Sequence, residues 1–413
     1  MSAASSATVK ALSITAVDGG ITAAAGFRSA AVHAGIKKST ALDLAIIAAD
    51  RAVAAAGIFT TNLAQAAPVV VSRQHLERTA GRATAIVVNA GCANACTGAS
   101  GMADAVEMAA RTAAAVGCAA EEVLVASTGV IGVALPMPRV VAGITAAAGG
   151  LTRGRGSETA HAIMTTDPFP KERAVRVDTS RGAFTVGGTA KGSGMIEPNM
   201  ATMLGFLTTD ARVSPALLQR ALIASARDTF NAITVDGECS TNDCLFALAS
   251  GESGIEIDED TYPALLAGML DVSRELAIGI VRGGEGATKL IAITVRGAVD
   301  DTDARRVART IANSPLVKTA VHGADPNWGR IVAAAGRSGG RFDVARTSVR
   351  VGDVLLFENG LPHDDAAPQA GRHLQGTDIR IDLDLGTGSS GTATIWTCDL
   401  TAEYVRINGE YRT

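Results

Sequence analysis

The chain has 413 residues, of which 47% are hydrophobic and 19% charged, so it can build a large core and does not have the composition of a disordered protein. Its net charge of −4 and the absence of a basic cluster argue against nucleic-acid binding. Residues 1–20 lack the apolar core of a signal peptide, and the longest uncharged stretch, residues 83–103, contains Asn and Gly residues that argue against a membrane span. We therefore expect a cytoplasmic protein that acts on a small polar molecule.

The N-terminal half alternates between short strands and alanine-rich helices. Hydrophobic periodicity and turn residues set the boundaries of each element. We predict strands at residues 12–17, 27–32, 42–48, 53–59, 84–88 and 123–127, a hairpin at 174–177 and 183–187, a helix or turn region at 64–78, and helices at 103–116, 136–148 and 157–164. The strand at residues 123–127 is expected to end in a turn at Thr128 and Gly129.

The C-terminal half continues the irregular alternation. We predict helices at residues 215–229, 259–281 and 303–313, and strands at 243–249, 289–295, 316–322, 349–351, 378–385 and 392–400. The chain shows neither a fixed-period repeat nor a linker. This pattern predicts a mixed α/β fold of the α+β type, with helices layered on mixed sheets.

Two glycine-rich motifs match known fingerprints but lack the required context. Residues 386–391 match a dinucleotide-binding loop, and residues 336–340 match a nucleophile elbow. Both motifs need a helix directly after the turn, and no convincing helix follows either one. We interpret the first as a hairpin turn between two strands.

The cysteines are expected to be buried apolar residues. Two pairs are close in sequence, at residues 92 and 96 and at residues 239 and 244. Neither pair has the two-residue gap of a zinc site, and no His lies near either of them. We therefore expect no metal site.

The strongest chemical signal lies in residues 187–210. Glycines and Pro198 make the first part rich in turns, and residues 200–207 form an apolar run that we predict to be a buried strand. Thr202 lies inside this run. Considered alone, it is explained by a hydroxyl that bonds to a neighbouring backbone carbonyl.

A catalytic interpretation of Thr202 is also open. A Thr hydroxyl is a weak nucleophile that needs a base, and an N-terminal Thr can use its own α-amine, whose reference pKa is about 8. Cleavage between Ala201 and Thr202 would create that amine, and the same hydroxyl could attack the preceding carbonyl. The Thr128 hydroxyl and the Gly129 N–H are the candidate donors to the resulting oxyanion, and Lys191 is a candidate to neutralise negative charge.

The segment KGSGMIEPNMATMLGFLTTD, residues 191–210, resembles the self-cleavage segment of the ornithine acetyltransferase family, the glutamate N-acetyltransferases of arginine biosynthesis. Further segments similar to that family occur in order along nearly the whole chain: AGIFTTNLAQAAPVVV, NAGCANACTG, STGVIGVALPM, MTTD, VDGECSTND, GATK and DPNWGRI. Together they favour the catalytic interpretation of Thr202.

The resemblance implies an organisation and a set of site residues. The chain would cut itself into an α chain, residues 1–201, and a β chain, residues 202–413, which interleave in one layered αββα unit and assemble as an α2β2 heterotetramer. Thr202 would be the nucleophile, and Thr128 and Gly129 the oxyanion hole. The substrate-binding residues would be Thr165, Lys191, Thr202, Glu285, Asn408 and Thr413. The resemblance assigns no role to residues 325–330, which we expect to form a packed turn.

The resemblance further implies a ping-pong acetyltransferase. The acetyl group would pass from N2-acetyl-L-ornithine to Thr202 and then to L-glutamate, with the Glu285 carboxylate receiving the ornithine side-chain ammonium. The reaction needs no metal or cofactor, and whether acetyl-CoA also serves as donor is left open, as is a role in a secondary-metabolite pathway. Two alternatives remain: an N-terminal-nucleophile amidohydrolase or aminopeptidase on the same scaffold, and a non-catalytic small-molecule binding protein.

Overall fold

The computed structural model describes residues 12–197 and 203–410, and the fold is given for these residues. The strands are β1 Ser13–Val17, β2 Phe27–Val32, β3 Leu44–Phe59, β4 Arg82–Cys92, β5 Val123–Val130, β6 Lys171–Thr179, β7 Gly182–Lys191, β8 Leu204–Thr209, β9 Cys244–Ala249, β10 Leu290–Ala298, β11 Ser348–Val351, β12 Val354–Glu358, β13 Leu361–Pro362, β14 Asp378–Asp384 and β15 Gly391–Cys398. The helices are α1 Ala67–Arg78, α2 Gly98–Val116, α3 Met137–Gly149, α4 Gly156–Ala162, α5 Pro215–Arg227, α6 Tyr262–Arg282, α7 Asp301–Ala312, α8 Pro315–His322, α9 Trp328–Gly336, α10 Ala367–Leu374 and α11 Ala402–Glu410.

Two mixed sheets organise the described residues. The larger has nine strands in the order β1-β6-β7-β8-β9-β3-β4-β5, with β2 paired to β3. Its β4–β5 and β8–β9 pairs are parallel, and its other pairs are antiparallel. The smaller has six strands in the order β13-β12-β11-β14-β10-β15.

Strand β3 joins two halves of the larger sheet. The sequence analysis treated it as two strands, but its sixteen residues form one strand with an irregular register between Ala48 and Val53. The segment before this point pairs with β2 and β4, and the segment from Ala54 to Phe59 pairs with β9. Because such an irregularity bends a strand, β3 can serve both halves.

The two halves pack face to face with helices outside, which gives four layers. Successive side chains of a strand point to opposite faces. Accordingly, Leu44 and Ile46 pack towards α1, α2 and α3, whereas Ala45 and Ile47 face a core that they share with Phe206 of β8. The other face of β7, β8 and β9 packs against α5 and α6. The predicted mixed α/β class is confirmed, and so is its αββα layering.

The smaller sheet has its own core, which it forms with α7, α8, α9 and α10. The strand predicted at residues 316–322 is wrong, because this segment is helix α8. Ser314 caps that helix by accepting the Val317 N–H, and Pro315 occupies its first turn. Strands β12 and β13 and helices α9, α10 and α11 are not predicted from the sequence.

The structure also bears on the two rejected motifs. Residues 386–391 join β14 to β15, but β10 lies between these strands, so the connection is not the predicted hairpin turn. Residues 336–340 begin at the last residue of α9 and are not preceded by a strand, which excludes a nucleophile elbow.

Candidate active site

A cavity of about 140 Å³ lies where several elements of the larger sheet end. Its walls come from the C-terminal ends of β5 and β7, the residues before β9, the loop after α6, and helix α11. Ile196 and Met203 both line it. The predicted cleavage residues Ala201 and Thr202 lie outside the described residues, between these two wall positions.

Upstream of the predicted cut, backbone N–H groups hold the chain in place by hydrogen bonds to a carboxylate and to a backbone carbonyl. The N–H groups of Met195 and Ile196 donate to the Asp236 carboxylate at 2.7 and 2.8 Å. The Glu197 N–H donates to the Glu238 carbonyl at 2.7 Å. The loop of residues 235–239 therefore anchors the segment that leads to the predicted cleavage point.

Downstream of the predicted cut, the chain enters the buried sheet at once. The Met203 carbonyl accepts the Cys244 N–H at 3.1 Å. Leu204 begins β8, where it pairs with Lys191 on one side and with Cys244 on the other. The described residues on both sides of the predicted cut are thus fixed by hydrogen bonds.

Thr128 and Gly129 lie inside β5, which continues to Val130, so the turn predicted at these two residues is wrong. Gly129 has a φ of +128° and pairs with Gly91 of β4. A Cβ atom at residue 129 would lie 2.6 Å from the Cys92 nitrogen, so only glycine fits there. This close approach places the Thr128–Gly129 peptide at the cavity wall.

The structure brings Thr128, Thr165 and Lys191 together through a buried carboxylate. Lys191 Nζ donates to Thr128 Oγ1 at 3.3 Å. Asp167 accepts the Thr165 N–H at 3.0 Å and the N–H of Gly192, the residue after Lys191, at 2.8 Å. Asp167 therefore fixes the backbone of two predicted substrate-binding positions.

Asp167 is ionised although it is buried. Burial acts to raise the pKa of this carboxyl, but the Lys191 and Lys171 ammonium groups and the hydrogen bonds of Lys171 and Thr165 outweigh it and lower the pKa to about 2. The ion pair with Lys171 Nζ is 2.6 Å long, and neither side chain is more than 2% exposed. The cavity therefore lies over a buried charge network.

A second network carries Glu285 and Asn408. The Asn408 side-chain amide donates to Glu285 Oε2 at 2.8 Å. Glu285 is 7% exposed, and a Cβ at Gly194 would lie 2.5 Å from its carboxyl carbon, so glycine permits this approach. Asn408 lies in helix α11. Thr413 lies outside the described residues.

Tyr404 and Asn242 complete the cavity, and the sequence analysis did not single them out. The Tyr404 hydroxyl donates to Asp236 at 3.3 Å, and burial together with this carboxylate raises the pKa of Tyr404. The Asn242 amide donates to the carbonyls of Ala93 and Ser127 at 2.5 and 2.9 Å, which ties the β9 entry to β5. Asn242 belongs to the segment VDGECSTND, so that segment was a signal for this role.

Residues 325–330 do not line the cavity. The Asn327 side chain accepts the Arg330 N–H at 3.2 Å and caps α9. Trp328 stacks on Phe357 with ring centroids 4.8 Å apart. Residues 325–327 lead into α9 and residues 328–330 form its first turn, so the expected packed turn is in part the start of a helix.

The described residues suggest neither a metal site nor a membrane segment. Residues 12–197 and 203–410 hold no group of three or more His, Cys, Asp or Glu side chains arranged to bind a metal ion. None of the helices in this part of the chain combines the length and the apolar character that a membrane crossing requires. Cys92, Cys244 and Cys398 are buried, and burial raises the pKa of each thiol, which keeps them unreactive. The expectation of buried cysteines is wrong for the other three, since Cys96 is exposed and Cys118 and Cys239 are half-buried.

Comparison with known proteins identifies the family. The model of the ArgJ family matches residues 28–413. The arginine biosynthesis bifunctional protein ArgJ of Symbiobacterium thermophilum is 50% identical over 402 residues, covering 96% of this chain and 99% of the relative. Its counterpart in Dehalococcoides mccartyi is 49% identical, covering 96% of this chain and 98% of the relative. A Mycobacterium tuberculosis structure described as ornithine acetyltransferase complexed with ornithine is 44% identical, covering 46% of this chain and 100% of its own, with a TM-score of 0.42. The family predicted from the sequence is confirmed, and the chain belongs to the ArgJ family of arginine biosynthesis proteins.

Proposed function

We propose that the chain transfers the acetyl group of N2-acetyl-L-ornithine to L-glutamate through an acetyl ester on Thr202. As a member of the ArgJ family, it is an acyltransferase of arginine biosynthesis. The observation that carries the residue-level proposal is that Ile196 and Met203, which flank the predicted cut, line the same cavity as Thr128 and Glu285. This shared cavity supports assigning the nucleophile Thr202, the oxyanion donors and the substrate-binding Glu285 carboxylate to one site.

The first half-reaction places the acetyl group on the enzyme. After self-cleavage between Ala201 and Thr202, the Thr202 α-amine takes the proton of its own hydroxyl as the oxygen attacks the acetyl carbonyl. The Thr128 hydroxyl and the Gly129 N–H donate to the oxyanion. Collapse of this intermediate passes the proton to the leaving nitrogen, so ornithine departs as an amine and Thr202 carries an acetyl ester.

The second half-reaction regenerates the enzyme. The amino group of L-glutamate attacks the ester, its proton returns to the Thr202 oxygen through the α-amine, and N-acetyl-L-glutamate departs. An amide is exchanged for an amide, so the overall reaction is nearly balanced in energy and requires no cofactor. Acetyl-CoA would serve as an additional donor by forming the same ester.

The substrate is held at both of its ends in this proposal. The Glu285 carboxylate, positioned by Asn408, receives the side-chain ammonium of ornithine. Thr165 and Lys191 bind the polar groups around the acetylated amine, and the C-terminal Thr413 belongs to the same set. The described members of this set, namely Thr165, Lys191, Glu285 and Asn408, all line the cavity, which supports their assignment to one binding site.

Self-cleavage would divide the protein into an α chain of residues 1–201 and a β chain of residues 202–413. Both chains contribute to the larger sheet, since β7 comes before the cut and pairs with β8 after it. The two fragments would therefore stay interleaved after cleavage. We further propose an α2β2 heterotetramer that acts in the cytoplasm.

Mass spectrometry of the denatured protein tests the proposal. Purified wild-type protein should give two fragments, residues 1–201 and 202–413, and acetylornithine should add one acetyl mass to the second fragment only. The Thr202→Ala variant should stay as one chain and lack transferase activity. A wild-type chain that stays uncut, or a Thr202→Ala chain that is cut normally, would exclude this mechanism.

The amidohydrolase alternative differs only in the group that removes the acetyl ester. Acetylornithine consumption with and without glutamate separates the two activities. We expect consumption to stop after one acetyl group per site when glutamate is absent. Continued turnover with water alone would establish a hydrolase.

A further inference from the structure

Asp243 is a buried carboxyl group that the proposed mechanism leaves without a role. It lies directly before β9, lines the cavity and is 3% exposed. Its Oδ2 atom has no hydrogen-bond partner within residues 12–197 and 203–410. An unsatisfied buried polar atom costs about 1–3 kcal/mol of folding free energy. The presence of such an atom at the cavity wall indicates that the Asp243 carboxyl group takes part in a reaction at this site.

The register of β8 and β9 brings Asp243 close to the predicted cut. Cys244, the residue after Asp243, donates its N–H to the Met203 carbonyl at 3.1 Å and pairs in parallel with Leu204. Neighbouring strands lie about 4.8 Å apart, and consecutive Cα atoms are about 3.8 Å apart. Extended by one residue, this register places Asp243 beside Met203, the first described residue after the predicted cut.

The surroundings of Asp243 favour its protonated form. Burial raises its pKa well above the ordinary value, and hydrogen bonding from Ser240 and the positive charge of Lys191 offset only part of this effect. The other ionisable groups that line the same cavity are Asp236, Glu238, Glu285 and Tyr404. Burial thus favours the acid form of Asp243, which has a proton to give.

We propose that Asp243 is the general acid of self-cleavage, which protonates the nitrogen of Thr202 as the Ala201–Thr202 amide breaks. This inference rests on the self-cleavage step of the proposed function. It assigns Asp243 to the maturation of the enzyme, a step that the acetyl-transfer mechanism does not explain. An amide nitrogen is a poor leaving group unless it is protonated, so a neutral acid beside it supplies what the step needs.

The step balances in atoms and protons. The Thr202 oxygen bonds to the Ala201 carbonyl carbon, the carbon–nitrogen bond breaks, and the Asp243 proton passes to that nitrogen. The proton released by the Thr202 hydroxyl returns to the Asp243 carboxyl, which ends the step as it began. Water then hydrolyses the ester between Ala201 and Thr202, which leaves a carboxylate, a hydroxyl and one proton that passes to the new α-amine.

The time course of cleavage in the full chain, synthesised in a cell-free system and followed by mass spectrometry of the denatured protein, tests the inference. Asp243→Asn keeps the shape of the side chain but has no acidic proton, so we expect cleavage to be at least about 100-fold slower. Asp243→Glu should recover part of the rate. The wild-type rate should fall as the pH rises through the raised pKa of Asp243, and this decline should be absent in Asp243→Asn.

Matched measurements separate the possible failures. An uncut wild-type chain would contradict the proposed function itself. A wild-type chain that is cut, together with an Asp243→Asn chain that is cut at the same rate, would overturn only the role of Asp243. The inference would also be overturned if Asp243→Asn and Asp243→Glu were equally slow, kept the wild-type pH profile and melted at lower temperature, since that result indicates a structural role.

Discussion

The Lys191 ammonium donates a hydrogen bond to the Thr128 hydroxyl oxygen at 3.3 Å. An ammonium group has no acceptor, so Thr128 must be the acceptor in this pair and its own hydrogen stays available to the cavity. The same contact places a positive charge beside that hydroxyl. Lys191 therefore polarises the proposed oxyanion donor as well as lining the substrate site.

Replacing Thr128 by Val tests this donor. The Val side chain has nearly the same shape but lacks the hydroxyl, so we expect kcat/KM of the cleaved enzyme to fall about 100-fold, as for loss of one oxyanion donor. Steady-state assays per cleaved chain give the measurement, and Thr128→Ser, which keeps the hydroxyl, is the control. If the Thr128→Val variant keeps the wild-type kcat/KM, Thr128 is not an oxyanion donor.

Gly129→Ala should disrupt the site through its backbone. The residue has a φ of +128°, and a Cβ would lie 2.6 Å from the Cys92 nitrogen, so β4 and β5 would have to separate. Gly132→Ala is the matched control, because Gly132 also has a positive φ, +76°, but an added Cβ meets nothing within 4 Å. We expect the control to lose about 1 kcal/mol of unfolding free energy and to keep its activity.

Thermal or denaturant unfolding and transferase assays of both variants distinguish the two effects. Gly129→Ala should be less stable than Gly132→Ala and nearly inactive. Equal stability and activity in the two variants would show that the β4–β5 contact does not require glycine.

The sequence predicts the layers better than the connections between them. Buried strands and amphipathic helices have local periodicities that are visible in the sequence, and most of them were found. The single bent strand β3 was not found, because its bend depends on pairing with β9, a partner far along the chain. Helix α8 was mistaken for a strand because its Val and Thr residues suggested one, although Ser314 and Pro315 were signals for a helix start.

The site shows the same division. Thr128 and Lys191 are predicted from the chemistry that Thr202 would need, and Glu285 from family resemblance, and the structure places all three around one cavity. Asp167 and Asp243 were not named, since their importance comes from burial beside lysines or beside the predicted cut. Burial of a single carboxyl group follows from tertiary packing and has no local signature in the sequence.

Glu285→Gln should weaken acetylornithine binding without affecting self-cleavage. Gln keeps the size and an acceptor for Asn408 but removes the negative charge that faces the substrate ammonium. A hydrogen bond to a charged group contributes about 1.5–3 kcal/mol, so we expect the KM for acetylornithine to rise roughly 10- to 100-fold. Glu403→Gln, which removes a carboxylate paired with Arg406 on the outside of α11, is the control.

Steady-state kinetics and fragment masses of both variants give the measurement. An unchanged KM in Glu285→Gln would mean that another group holds the ammonium. Loss of cleavage in the same variant would mean that Glu285 acts in maturation instead of substrate binding.

Asp167→Asn should destabilise the fold in a pH-dependent way. The folded-state pKa of Asp167, about 2, lies below its ordinary value of 3.8, so the stabilisation is complete above pH 4 and is lost as the pH falls through 2. At 1.36 kcal/mol per pKa unit, this contribution is about 2 kcal/mol. At neutral pH the variant also leaves Lys171 buried without its carboxylate, and such a loss costs about 3–5 kcal/mol.

Denaturant unfolding between pH 7 and pH 2 measures the difference between wild type and variant. We expect this difference to shrink by about 2 kcal/mol as the pH falls, because wild-type Asp167 becomes protonated and the pair is lost there as well. The double variant Asp167→Asn/Lys171→Met removes both charges of the ion pair and should be more stable than the single variant, because Lys171 is then not left as a buried charge without its partner. A difference that does not change with pH would show that Asp167 stabilises the fold only through its backbone hydrogen bonds to Thr165 and Gly192.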